Sequence, residues 1–290
     1  LLALLKYFKL DGMKRIILCA DDYGQNPAIS QAIVELMGLK RLSATSCLVT
    51  SPFFDQAVSA LQPYKNKVDI GLHFNLTEGT PLSKEMTAFY PLNDLILNAN
   101  LYELKKPAII AEFTAQLDKF TEAFGQLPDF IDGHQHVHQF PIIRDAIISV
   151  YEEKLRTNKT YIRCTYDPST LYRVSDVAYL KQLIIQLCGG IIFKKRLNQF
   201  KIPHNQTFAG IYSFKSALSY PEYFPRFLNQ VKDAGIVMCH PGLYSSDEEN
   251  EMANARYAEY SYFSSSELKH DLNTKQIKLI RFNDSIPPTA

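Results

Sequence analysis

The sequence has no surplus of either charge: 31 basic residues stand against 30 acidic ones in 290, a net charge of +1. So balanced a chain has no general attraction for a polyanion, which argues against nucleic acid or an acidic membrane as partner. Its one basic run, FKKRLNQFK at 193–201, reads as the solvated face of a helix. Cysteine is sparse: Cys19, Cys47, Cys164, Cys188 and Cys239 are odd in number and lack CxxC spacing, which excludes a disulfide framework and a thiolate zinc site. Reduced, buried thiols are expected, as in a cytoplasmic protein. Long apolar runs are missing too. The longest, LIIQLCGGIIF at 183–193, falls short of the roughly 20 residues a bilayer span needs. The opening LLALLKYFKLDG, interrupted by Lys6 and Lys9, lacks a basic lead and a small-residue cleavage site, so residues 1–12 are expected to be a peripheral extension, with Met13 a natural initiator. No GxGxxG follows the first strand-like run, and no internal repeat or Gly/Ser linker marks a second domain.

What is present is a well-filled globular composition, 46% hydrophobic and 21% charged. Short apolar, β-branched runs predict strands at 15–20, 44–49, 68–74, 129–134, 161–165, 235–240 and 277–282. Helical spacing predicts helices at 29–39, 53–61, 109–124, 142–155, 177–187 and 223–234. Apolar strands alternating with helices imply a mostly parallel sheet covered by helices. About seven such units predict an α/β fold, a single (β/α) barrel over 13–290, distorted or seven-stranded, with insertions at 80–107 and 166–220 near its functional face. A doubly wound open sheet is the alternative, disfavoured by the missing glycine fingerprint.

The polar residues of chemical interest fall at the ends of these strands. DDYG supplies Asp21 and Asp22, GLHF supplies His73, YIRC supplies Arg163 and MCHPG supplies His240. DGHQHVHQFP at 132–141 concentrates Asp132, His134, His136 and His138, three of the chain's seven histidines. If extended, that segment would put the three imidazoles on one face. Taken singly, each residue has an ordinary reading: a helix cap, a satisfied core histidine, a turn residue, an ion-pair partner. A parallel barrel, however, brings the carboxyl ends of all its strands to one face, and there these residues would converge.

Two imidazoles and one carboxylate make a ligand set that holds a divalent ion while leaving coordination positions open. His73, His134 and one of the two aspartates fit it. A cation there lowers the pKa of a bound water toward about 7 and polarises a carbonyl. The other aspartate would then take a proton from that water, and His240, reaching in from another strand, would protonate a leaving amine. Arg163 would orient Asp21 or hold substrate. Asp132, His136 and His138 are assigned to supporting or substrate contacts, because more protein ligands would close the site to water.

At these residues the sequence resembles the YdjC-type carbohydrate deacetylases, which include chitooligosaccharide deacetylases and are distantly similar to the NodB-type polysaccharide deacetylases. The resemblance is carried by CADDYGQNPAISQAI, LSATSCLVTSPFFDQAV, GLHFNLTEGTPL, IDGHQHVHQFP and VMCHPGLYSSD, in the family's order from Arg15 onward. It implies a distorted (β/α) barrel with a divalent ion, Mg²⁺ or Zn²⁺ with Mn²⁺ or Co²⁺ as alternatives, held by Asp22, His73 and His134. It implies Asp21 as base and His240 as acid, and the hydrolysis of an N-acetyl group from a saccharide. Tyr23, Phe74, Tyr166 and Tyr244 are candidate stacking partners for sugar rings. Homodimerisation is allowed and not decided by the sequence. The rival readings are a barrel-type amidohydrolase or phosphoesterase, whose HxH would be expected on the first strand, and a sugar-binding barrel without turnover.

Overall fold

The computed structural model describes residues 12–167, 189–214, 219–244 and 250–285. The expected helix at 177–187 and most of the expected N-terminal extension lie outside these. The strands are β1 (Lys14–Tyr23), β2 (Ala44–Cys47), β3 (Asp69–Phe74), β4 (Phe130–Gly133), β5 (Tyr161–Ile162), β6 (Phe208–Ala209), β7 (Gly235–Cys239) and β8 (Ile277–Leu279). They form one sheet in the order β5-β4-β3-β2-β1-β7-β6, with parallel pairing throughout. β8 lies against the first half of β1, below the point where β2 takes over the same edge.

The curled sheet is a distorted (β/α) barrel. Between β5 and β6 the closure is made by a side chain. Asn205 accepts the Cys164 N–H at 2.7 Å and donates to the Cys164 carbonyl at 2.8 Å, completing a parallel bridge between Ile162 and His204. A buried amide thus supplies one donor and one acceptor in place of a missing strand residue.

Strand alternation separates two cores. Ile16, Leu18, Ala20, Leu72, Ile131 and Val237 face outward to the helices. Ile17, Cys19, Ala44, Phe130, Tyr161, Phe208, Ile236 and Met238 fill the barrel itself. At the amino end the barrel is stoppered by a stack of Phe130, Tyr161 and Phe282, with centroids 5.0 and 3.9 Å apart, beside Arg281 bound to Asp69 at 2.7 Å. With that end plugged, only the carboxyl end is left for chemistry.

The covering helices are α1 (Pro27–Gly38), α2 (Phe54–Leu61), α3 (Leu92–Asn100), α4 (Lys106–Phe124), α5 (Ile143–Val150), α6 (Ile191–Gln199), α7 (Tyr220–Gln230), α8 (Glu251–Ser264) and α9 (Ser266–Thr274). α1 shows how local sequence sets them: Asn26 caps the Ile29 N–H at 2.9 Å, Pro27 opens the first turn, and Ile29, Ala32, Ile33 and Leu36 bury one stripe.

Several expectations need correction. The expected insertion at 80–107 carries α3, and among the described residues of 166–220 lie α6 and β6, the latter an unexpected strand of the barrel. At two residues, β6 is too short to show a period. α8 was missed because its buried face carries Arg256 and Glu259 beside Tyr262 and Phe263, which erases the apolar stripe. Among the described residues no helix is long and apolar enough to cross a membrane, and the four described cysteines are buried and free.

Candidate functional site

Inward alternation brings the candidate residues together at the carboxyl end. On β1 the inward series Ile17, Cys19 reaches Asp21; on β3 Gly71 reaches His73; on β4 Phe130 reaches Asp132; beyond β5 Tyr161 leads to Arg163; beyond β7 Met238 leads to His240. Strict alternation would point Asp22 away from Asp21. A β-bulge prevents this: four residues of β1, from Ala20 to Tyr23, run against three of β2, from Thr45 to Cys47, and Asp22 adopts a left-handed φ of 67°. Aspartate tolerates that conformation better than most residues. The bulge turns both carboxylates into the barrel mouth.

Asp22 is the hub. Its Oδ1 lies 3.3 Å from His73 Nε2 and 3.0 Å from His134 Nδ1, and its Oδ2 accepts from Arg256 at 2.6 Å. The ligand atoms of Asp22, His73 and His134 lie within 4.8 Å of one another, and all three residues are buried. Donors about 2.1 Å from one ion at tetrahedral or octahedral angles stand about 3 Å apart, so these spacings fit a shared cation. The other ring nitrogen of each histidine also meets a carboxylate: His73 Nδ1 is 2.7 Å from Asp132 Oδ1, and His134 Nε2 is 3.0 Å from Glu78 Oε1.

Charge points the same way. Asp21, Asp22, Asp132 and Glu78 surround the mouth, against the guanidiniums of Arg163 and Arg256. Burial works against protonated imidazoles, yet Asp132 and Asp22 raise His73 to about 10, and Asp22 and Glu78 raise His134 to about 9. The pocket therefore draws positive charge to the place where the three donors meet.

A second cluster, Cys19, Asp21 and Asp132, resembles a metal site by composition but already encloses a cation. Arg163 Nη2 lies 2.9 Å from Cys19 Sγ, 2.6 Å from Asp21 Oδ1 and 2.7 Å from Asp132 Oδ2, and Nη1 donates to Asp21 Oδ2 at 2.6 Å. Burial would raise Asp21, but Arg163 holds it well below the usual carboxylate range, as Arg256 and His134 do for Asp22. Both aspartates are ionised at neutral pH.

The three histidines after β4 do not share a face. The strand ends at Gly133; Gln135 and His136 take left-handed φ values of 52° and 60°, and the chain coils into a 3₁₀ turn over His134–Gln139. His134 stays at the mouth. His136 turns inward against Phe208, ring centroids 5.8 Å apart, with no hydrogen-bond partner for Nδ1 among the described residues. His138 Nε2–H donates to the Arg163 carbonyl at 3.0 Å and so braces the backbone that carries the guanidinium. Burial pushes His138 down to about 4, which keeps it neutral.

His240 packs edge-on to Phe214, centroids 5.8 Å apart, and its Nδ1 has no partner among the described residues. Burial lowers it to about 4 although Asp22 and Asp21 oppose the shift. Its backbone N–H donates to Glu259, which also accepts from Tyr212 Oη at 2.6 Å. Glu78, Gln25, Ser46, Arg256 and Glu259 were missed in the sequence. Ser46 follows Ala44 on the inward face of β2 and contacts His73 Nδ1 at 3.0 Å, so alternation could have found it. Nothing in the period of α8 flags Arg256.

The proposed sugar-stacking aromatics are largely displaced. Phe74, one residue beyond inward His73, packs outward on Phe113, and Tyr23, past the bulge, donates its hydroxyl to Ala57. Both are fully buried. Tyr166 is partly buried beneath Lys194; of the four only Tyr244 is well exposed.

With this geometry in view, residues 15–274 match the model of the family described as YdjC-like protein. A carbohydrate deacetylase of Xenopus laevis is 28% identical over 279 residues, covering 83% of this chain and 85% of that protein. A carbohydrate deacetylase of Danio rerio is 31% identical over 163 residues, and the match spans 53% of this chain and only 50% of that relative. Among solved structures, a putative cellobiose-phosphate cleavage protein from Enterococcus faecalis aligns with a TM-score of 0.66 over 94% of this chain and 99% of its own, at 19% identity, a likeness of fold.

Proposed function

The chain belongs to the YdjC-like protein family, and on that premise we propose that it is a metal-dependent hydrolase that removes the acetyl group from an N-acetylated saccharide, releasing acetate and a free amine. The observation that carries this reading is the convergence of Asp22, His73 and His134 on one point beside an ionised Asp21 that is not tied to the same point. The names of the relatives supply the substrate class. The buried free thiols of Cys19, Cys47, Cys164 and Cys239 support the reducing, cytoplasmic setting expected for it.

Asp22 Oδ1, His73 Nε2 and His134 would hold a divalent cation, and Mg²⁺ and Zn²⁺ both suit the mixed oxygen and nitrogen set. When bound it would supply Lewis-acid polarisation of the acetyl carbonyl and a water acidified toward about 7. The chain's own residues do the rest. Asp21 accepts the proton of the attacking water. Because Arg163 engages both its oxygens, Asp21 keeps a fixed orientation and stays a carboxylate until that proton arrives. His240, neutral at rest, gains proton affinity as negative charge develops on the acyl oxygen, takes up a proton from solvent and passes it to the departing nitrogen, while Asp21 returns the water's proton to solvent as the products leave. Glu259 holds the backbone from which that ring projects. Asp132 links the two halves, accepting from His73 Nδ1 on one oxygen and facing Arg163 with the other.

The test is acetate release from N-acetylglucosamine oligomers by the metal-loaded protein, followed by the loss of one acetyl mass from the sugar. Hydrolysis of phosphate esters with acetamido sugars left intact would favour the phosphoesterase reading. Sugar binding without acetate release would favour the non-catalytic one.

A further inference from the structure

The second contacts of the metal-site histidines carry information that the ligand set alone does not. A carboxylate oxygen accepts hydrogen bonds and donates none, so an imidazole nitrogen facing one is satisfied only as N–H. For His73 that nitrogen is Nδ1, held by Asp132 at 2.7 Å, and the lone pair falls on Nε2, which faces Asp22 Oδ1 at 3.3 Å. For His134 both nitrogens face carboxylates, Nδ1 that of Asp22 and Nε2 that of Glu78, each at 3.0 Å. A neutral ring has only one N–H to give. With the proton on Nδ1, the ring would turn its lone pair to Glu78 and offer nothing to the point it shares with Asp22 and His73. With the proton on Nε2, the 3.0 Å contact with Glu78 Oε1 sets an N–H against a carboxylate, off the line of a full hydrogen bond, and the Nδ1 lone pair is directed to that point.

Glu78 is fixed well enough for this task despite a side chain that is 45% exposed. Its loop is fastened by buried Asn75, whose Oδ1 accepts the N–H groups of Thr77 and Glu78 at 2.9 and 3.1 Å and whose Nδ2 donates to the Glu78 carbonyl at 2.6 Å. Its carboxylate also closes a ring of side chains. Glu78 Oε2 accepts from Gln25 Nε2 at 3.1 Å, Gln25 Oε1 accepts from Arg256 Nη2 at 3.1 Å, and the same Nη2 donates to Asp22 Oδ2 at 2.6 Å. Asp22 Oδ1 and His134 Nδ1, 3.0 Å apart, then meet at the point the cation would share. Since arginine only donates and carboxylate only accepts, the orientation of the Gln25 amide is fixed by its neighbours.

We propose that Glu78 and Asp132 are positioning residues that assign opposite nitrogens of the two imidazoles to the cation, His73 coordinating through Nε2 and His134 through Nδ1. Glu78 acts through His134 and touches no reacting atom. The inference rests on the metal-dependent reading above and adds to it the coordinating atom of each histidine.

The test uses the full chain and Zn²⁺. Histidine ¹⁵N chemical shifts and long-range couplings of the Zn²⁺-loaded protein report which nitrogen carries the proton: Nδ1 for His73 and Nε2 for His134 are expected. Zn²⁺ affinity, measured by competition with a chromophoric chelator, is expected to fall about 10–100-fold in Glu78→Ala, the usual effect of losing such a support. Glu78→Gln, whose amide oxygen still accepts from Nε2–H, is expected to recover most of that loss. A proton on Nδ1 of His134, or Glu78→Ala binding Zn²⁺ as tightly as the parent, would overturn the assignment while leaving the deacetylase reading in place. Failure of the parent protein to bind any divalent ion would bring down both. Because Glu78 is half-exposed, its alanine variant carries the test; Asp132→Asn serves as a second measurement, with folding followed by circular dichroism.

Discussion

Arg163 grips Asp21 with both ends of its guanidinium, Nη1 on Oδ2 and Nη2 on Oδ1, each at 2.6 Å, at a site with no solvent exposure on the arginine. Such a fork fixes the plane of the carboxylate as well as its charge. Replacing it by a single ammonium would keep the charge and lose the plane. Arg163→Lys is therefore expected to lower kcat about 10–100-fold with metal content unchanged. Asp21→Asn, which removes the proton acceptor itself, is expected to cost about 10²–10⁴-fold, the span associated with a positioned acid or base. Acetate assays combined with elemental analysis of the same preparations check both. Loss of metal in Asp21→Asn would place Asp21 among the ligands.

The ligand set gives a different signature. His73→Ala and His134→Ala each remove a donor from a group whose atoms lie within 4.8 Å of one another. Both are expected to purify with almost no bound metal and to be inactive, with the fold retained because neither imidazole carries the barrel core. His136→Ala and His138→Ala are expected to keep the metal. In His138→Ala the Arg163 carbonyl loses its 3.0 Å partner, so activity should fall through Arg163 with no change in metal content. Metal content measured by mass spectrometry across the four variants separates the histidines.

How much of this could be read from the sequence depended on whether a side chain followed the period of its element. His73, Asp132, Arg163 and Asp21 sit at inward positions that continue the apolar series of their strands, so alternation and barrel topology together sufficed. Asp22 does not follow it: its place at the mouth depends on the bulge and its φ of 67°, which no local pattern announces. The shared face that an extended segment would give His134, His136 and His138 is absent for the related reason that the chain stops being extended at Gly133. Arg256 and Glu259 were hidden because charged residues facing a barrel mouth from α8 look, in one dimension, like a solvated helix face. Pairing partners from distant elements, such as Glu78 with His134, are set by tertiary structure alone.

Glu259 predicts a pH dependence of stability. The residue is fully buried and accepts from Tyr212 Oη and the His240 N–H; Arg256 favours its ionisation and Asp21 opposes it. Burial dominates and raises it from 4.5 to about 7. A carboxyl group with a raised folded pKa adds stability that is full below its unfolded value and is lost as pH rises through the folded one. The loss should therefore fall between about pH 4.5 and pH 7, on the order of 2–3 kcal/mol. Glu259→Gln, unable to ionise, should not show it. The difference in urea unfolding free energy between the two proteins, measured from pH 4 to pH 8, should change in favour of the variant. A constant difference would mean that Glu259 ionises in the fold as readily as in water.

Gly71 offers a test of the barrel core beneath the site. It lies on β3 two residues before His73, and a Cβ there would meet three ring atoms of Phe130 at 2.5–2.6 Å. The ring cannot retreat freely, since Tyr161 stacks on it with centroids 5.0 Å apart and Phe282 backs Tyr161 at 3.9 Å. Added volume must therefore shift backbone or force the stack apart, and overpacking of this kind costs about 1–3 kcal/mol. Gly71→Ala is expected to lose that much by chemical denaturation. It should also lower metal affinity, because the strain is relieved along β3 toward His73 and along β4 toward Asp132, the pair whose 2.7 Å contact fixes one metal-site imidazole. Gly71→Ala with Phe130→Leu, which opens room at the clash, should restore stability in part. If the double variant were no more stable than the single one, the contact with Phe130 would not be the reason β3 carries glycine there.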